Sequence, residues 1–141
     1  MIAIDTNILV HAFRLDSDNH KKADAAIQGL ADQSVSWTIP WPCVHEFISV
    51  VTNPKIFRVP STLAEALNQV RAWKSACESG FLHEAEDHLL QLENLPKDKI
   101  RGGIIHDARI ACICLSHSVS EFWTADRDFL LFPKLKIRNP L

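Results

Sequence analysis

Residues 2–4, Ile-Ala-Ile, are apolar at every position and lead without turn residues into the helix-compatible stretch 6–13. A strand with one wet face alternates apolar and polar side chains. A strand with no polar member belongs in a sheet covered on both sides, as in a parallel sheet between layers of helices. The chain is therefore expected to be α/β, provided that further short strands alternate with amphipathic helices.

They do. After the 6–13 helix a second is expected over 20–30, with Ala23, Ala26, Ile27 and Leu30 as its apolar stripe. Residues 36–39 read as a short strand. Pro40 and Pro42 introduce a helix over 42–51 that Asn53-Pro54 terminates. Thr62 and Glu65 have the spacing of a capping box, for a helix carrying Leu63, Leu67, Val70 and Trp73 and broken by Gly80. A strand over 81–83 and a helix over 85–95 follow. Gly102-Gly103 opens another helix, IIHDARIACICL, and strands over 121–125 and 135–138 close the series. No repeat or linker interrupts the pattern. The expectation is a single domain over 1–141, three-layer α/β with a mostly parallel sheet, its strand order not legible from periodicity.

Composition narrows the class. Of 141 residues, 47% are hydrophobic and 23% charged, which suits a soluble globular chain. Its apolar runs fall far short of the roughly 20 residues of a membrane span. The opening MIAIDTNILV lacks a basic segment and carries an acid at position 5, unlike a secretory signal. Cys43, Cys77, Cys112 and Cys114 form no CxxC pair and read as reduced packing residues of a cytoplasmic protein.

Four acids do not fit a purely structural pattern. Asp107 sits within the apolar stripe of its helix, with Ile104 before it and Ile110, Ala111 and Cys114 after it. An ionised carboxylate there is costly without a partner, and Arg109 points about 160° away. Glu46 borders the stripe of its own helix, about 40° beyond Val50 on the helical wheel. Asp5 and Asp126 each end a strand. Asp5 also reads as a helix N-cap and Asp126 as a polar turn residue. If the two strands are parallel, their C-terminal ends share the edge where α/β sites form. Carboxylates brought together repel unless a cation neutralises them. An all-oxygen set suits Mg²⁺ or Mn²⁺, and no thiolate or paired-histidine spacing favours zinc. His45 and His106 each precede one of the acids and read as surface histidines.

Four motifs together, IDTNILV, the helical HEF with Glu46, HDARIA with Asp107, and WTADRDF with Asp126, resemble those of the PIN-domain ribonucleases, specifically VapC-type toxins of bacterial toxin–antitoxin pairs. They occur in the family's order across nearly the whole chain, and the closing LKIRNPL is similar to one branch of these toxins. The resemblance implies a PIN fold and a Mg²⁺- or Mn²⁺-dependent endoribonuclease with catalytic acids Asp5, Glu46, Asp107 and Asp126. Asp5, Asp107 and Asp126 would ligate metal. Thr6, Asn7, Thr124 and Asp128 would support the site, Asp128 being the alternative to Asp126 as fourth acid. It also implies a homodimer and a cognate antitoxin whose C-terminal segment crosses the helices, a basic side chain reaching the acidic pocket.

Seventeen acids against fifteen bases give a net −2. Setting four acids aside for metal leaves the rest of the surface at +2. Lys97, Lys99 and Arg101 form one basic cluster and Lys134, Lys136 and Arg138 another, with Arg127 between the last acids. Each is either a solvated patch or a phosphate contact whose binding weakens with salt. Trp37, Trp41 and Trp73 are core or interface residues. Two other classes compete: a catalytically weak PIN scaffold serving as an interaction subunit, and a phosphoryl hydrolase with an Asp nucleophile. The first has no need of a repulsive acid cluster. The second expects an Asp at position 7, where the chain has Asn7.

Overall fold

A computed structural model describes residues 1–33 and 35–141. The strands are β1 (Ile2–Ile4), β2 (Trp37–Thr38), β3 (Glu121–Trp123) and β4 (Ile137–Arg138). The helices are α1 (Thr6–Phe13), α2 (His20–Asp32), α3 (Trp41–Val51), α4 (Leu63–Ala76), α5 (His88–Glu93) and α6 (Ile104–Ser116), with a 3₁₀ turn over Arg127–Leu131. All strand pairings are parallel, in the order β2-β1-β3-β4. The fully apolar β1 lies inside the sheet, with Ala3 and Ile4 at 0% exposure, as its sequence requires. The chain leaves β1 for β2 on one side and returns to pair β3 on the other. Such a reversal opens a crevice at the strands' C-terminal ends.

Two aromatic groups anchor the core. Phe47 packs edge-on against Phe13 at 5.3 Å and Trp73 at 4.9 Å, joining α1, α3 and α4. Phe122 of β3 lies 4.7 Å from Phe129, which meets Phe132 at 5.9 Å. The capping box is present: Thr62 Oγ1 accepts from Glu65 N–H at 3.2 Å, and Glu65 Oε2 accepts from Thr62 N–H at 2.7 Å. Among the described residues no helix is long and apolar enough to cross a membrane.

Three expectations need correction. Residues 81–83 form a single parallel bridge, Pro40 to Leu82, and no strand. The bridge consists of Leu82 N–H to Ile39 O and Trp41 N–H to Leu82 O, and pairing stops there because the chain turns into α3 at Trp41. The helix expected over 85–95 shrinks to α5, because residues 85–87 turn through His88 N–H to Ala85 O and Leu89 and Leu90 face solvent. Leu63 is exposed, since it sits in the first turn of α4, and the buried stripe starts at Ala66 and continues through Val70 and Trp73.

Candidate active site

Parallel pairing aligns Ile4 with Trp123, so the ends of β1 and β3 emerge side by side, and Asp5 N–H continues the ladder to Trp123 O at 2.9 Å. Asp5 is 4% exposed. Its Oδ1 accepts from Thr6 N–H at 2.7 Å, the N-cap bond of α1, and from the Cys43 thiol at 3.6 Å. Its Oδ2 accepts from Asn7 Nδ2 at 2.7 Å and from the Thr124 hydroxyl at 2.6 Å. Burial is the main force pushing this carboxyl up to about 6, and Glu46's charge adds to it. The bonds from Thr124, Thr6 and Cys43 pull the other way without cancelling it. Asp5 is thus a helix cap and also a buried charge held in place by four donors.

The residues expected to support the site form one network. Thr6 donates its hydroxyl to Glu46 Oε2 at 2.7 Å. Asn7 Nδ2 also reaches Thr124 Oγ1 at 3.1 Å, while Asn7 Oδ1 accepts from Ala125 N–H at 3.0 Å. Thr124 Oγ1 accepts from Asp126 N–H at 2.9 Å. Asp126 Oδ1 in turn accepts from Asp128 N–H at 2.9 Å and caps the 3₁₀ turn. Asp126 is therefore a polar turn residue as well, with one oxygen committed to the backbone.

Asp107 is half-buried and has no hydrogen-bond or ion-pair partner among the described residues. Arg109 is paired elsewhere, with Glu84. Burial raises the Asp107 carboxyl first, then repulsion from Asp126, Asp128 and Glu46, with His106 opposing. Asp5, Glu46, Asp107 and Asp126 line one cleft of about 290 Å³, with Thr6 and Asn7 between them and Val10, Val50 and Phe129 as apolar walls. Asp128 is exposed and not among the lining residues, although its charge is felt at Asp107. A larger concavity of about 710 Å³ lies elsewhere, around Phe13, Leu15 and Val59. Its one cation, Arg14, is already held by Asp16, Val59 O and Ser61. The acids gather at the smaller cleft.

The donor set, carboxylate oxygens only and one of them unpartnered, matches a hard divalent cation. As the side chains stand, no three His, Cys, Asp or Glu groups among the described residues are close enough to share one ion.

One residue of the cleft and one behind it were not expected from the sequence. His11 lines the wall and is oriented by a 2.6 Å bond between Nδ1 and Ser17 Oγ. Cys43 is fully buried against Asp5. The signal lay in spacing, since His11 follows Asn7 by four residues on the cleft-facing side of α1, and Cys43 precedes Glu46 by three on α3. The four cysteines are free and buried, as packing residues should be. Trp37 and Trp73 are buried, and Trp41 is half-exposed. In the C-terminal basic cluster, Lys136 and Arg138 lie 2.8 and 3.6 Å from Glu121. Lys97, Lys99 and Arg101 are exposed.

The PIN domain family matches residues 2–135. Ribonuclease VapC43 of Mycobacterium tuberculosis is 31% identical over 142 residues, covering 100% of this chain and 96% of the relative. Ribonuclease VapC31 of the same organism is 31% identical over 143 residues, covering both chains completely. Among solved structures, VapBC2 from Rickettsia felis bound to a promoter DNA fragment superposes with a TM-score of 0.70 at 18% identity, covering 99% of this chain and 98% of that one. FitAcB from Neisseria gonorrhoeae gives 0.69 at 21% identity with the same coverage. The three-layer parallel α/β fold is that of these neighbours, and the chain belongs to the PIN-domain family, among its VapC ribonucleases.

Proposed function

We propose that this protein is a Mg²⁺- or Mn²⁺-dependent endoribonuclease and the toxin of a toxin–antitoxin pair. One observation carries the reading: four acids, one at the end of β1, one in the turn after β3 and two on helices, line a single cleft, and Asp107 faces it without a partner. The ribonuclease names of the relatives that span the whole chain support the same class.

Asp5, Asp107 and Asp126 would hold the cation, and Asp5 is already set for this by its bonds from Thr6, Asn7 and Thr124. Bound there, a divalent cation supplies Lewis-acid polarisation of the scissile phosphate and an acidified water. Glu46, oriented by the Thr6 hydroxyl, or Asp126 accepts a proton from the attacking water. Attack in line with the leaving 3′-oxygen produces a 5′-phosphate and a 3′-hydroxyl. The 2′-hydroxyl takes no part, so selectivity for RNA resides in binding. Inhibition by the antitoxin fits the same cleft, because a basic side chain inserted there neutralises the acids in place of the cation. A homodimer completes the proposed assembly.

The test is cleavage of RNA by purified, antitoxin-free protein in Mg²⁺ or Mn²⁺, beside Asp5→Asn and Asp107→Asn. Each variant is expected to lose about 100-fold or more in rate, the scale of removing a charge-stabilising group. Equal cleavage by wild type and variants, or none by any, overturns the assignment. End-group analysis should find 5′-phosphates on the products.

A further inference from the structure

On the far side of Glu46 and Asp107 lies a second cleft of about 300 Å³, lined by Pro42, His45 and Glu46 of α3 and by His106, Asp107, Arg109 and Ile110 of α6. Positions 42, 45 and 46 share one face of α3, and 106, 109 and 110 share one face of α6. The two clefts have Glu46 and Asp107 in common and contrast in charge. The first adds acids and one histidine, whereas the second adds two exposed imidazoles and a guanidinium. Arg109 is anchored, because its Nε donates to Glu84. Its two terminal nitrogens make no hydrogen bond or ion pair among the described residues. His45 is steadied by its ring contact with Trp41, at 5.8 Å between centroids.

A polynucleotide cannot present one phosphate alone. When the scissile phosphate enters the acidic cleft, its neighbour must lie one nucleotide away, and the acids repel it unless donors receive it. A guanidinium fork held by a carboxylate is well suited to phosphate, and an imidazole N–H can donate in either protonation state. We infer that the second cleft is the binding site for the RNA phosphate flanking the scissile one, clamped by Arg109 with His45 and His106 as further donors. The inference rests on the ribonuclease reading above and assigns to this site the strand's direction of passage, between α3 and α6.

The experiment uses a defined single-stranded RNA that the wild type cleaves, and the same RNA with a neutral methylphosphonate placed at one flanking phosphate at a time. Arg109→Gln is expected to raise KM about tenfold, the scale of one charge-assisted hydrogen bond, with kcat little changed. The slope of log KM against log salt should fall by about 0.7, one phosphate contact to a single strand. His45→Ala and His106→Ala should raise KM less. Glu84→Gln leaves the Arg109 charge and should keep the salt slope. At one flanking position the methylphosphonate should weaken wild type as much as Arg109→Gln does, and should weaken Arg109→Gln no further. Equilibrium binding of labelled RNA by the uncleaving Asp5→Asn protein, with and without Arg109→Gln, gives the same comparison without turnover. If the wild type cleaves but Arg109→Gln has unchanged KM, unchanged slope and additive losses at every position, the second cleft is not a phosphate site. If the wild type neither binds nor cleaves any RNA, the ribonuclease reading fails and takes this inference with it.

Discussion

Asp107 ionises against the combined repulsion of Asp126, Asp128 and Glu46 and with part of its hydration removed. Its folded pKa lies above the unfolded value of 3.8. The ionised side chain therefore opposes folding at neutral pH, and that opposition vanishes as pH falls below the unfolded value, where both states are protonated. In the absence of divalent metal, Asp107→Asn is expected to melt above wild type at neutral pH, and the two melting curves should converge below about pH 4. Adding Mg²⁺ should reverse the order, raising the Tm of wild type and leaving the variant in place, since a ligand stabilises only the state that binds it. Calorimetry at two pH values checks both. Thr6→Val removes the hydroxyl that orients Glu46 while nearly keeping the shape. It should lower kcat about tenfold or more with the circular dichroism spectrum unchanged, the usual effect of losing a group that orients an active side chain. The outlines of the acidic cleft were legible because misplaced charge shows in periodicity: Asp107 in an apolar stripe, Glu46 on its border. Cys43 and His11 were silent because a thiol and an imidazole are unremarkable on a helix until the fold sets them beside Asp5 and the cleft.

Helices with several apolar turns announced their limits. For α1 the expected and observed bounds coincide, and α4 starts at the residue its capping box requires. Thr62→Ala removes the hydroxyl that accepts from Glu65 N–H, leaves the backbone N–H of residue 62 to Glu65, and should cost about 1 kcal/mol, read as a shift in the denaturation midpoint with unchanged slope. Phe47→Ala removes the ring that α1, α3 and α4 share and should cost about 3–5 kcal/mol by the same measurement. Elements decided by only a few contacts were less readable. The segment 81–83 has strand-like residues, yet its pairing depends on what stands opposite, and there the chain turns into α3 after a single bridge. The helix expected over 85–95 is cut to α5, whose Leu89 and Leu90 the neighbouring elements do not cover.

At the scale of the whole molecule, the parallel α/β class followed from one apolar strand, but strand order did not. A two-residue periodicity describes the faces of a strand and is blind to its neighbours. Placing β1 between β2 and β3 brings Asp5 to Thr124, and Asn7 to Ala125, across 119 and 118 residues of chain. Contacts of such separation form late, because the loop must close before they return anything. A chain ending after Ser120 keeps Asp5, Glu46 and Asp107 but lacks β3, Thr124 and Asp126, and it should be inactive in the RNA cleavage assay. During synthesis Asp5 leaves the ribosome long before the strand that fixes it. On the reading proposed above, the chain would stay inactive for most of its translation and gain its cleft only as β3 pairs with β1.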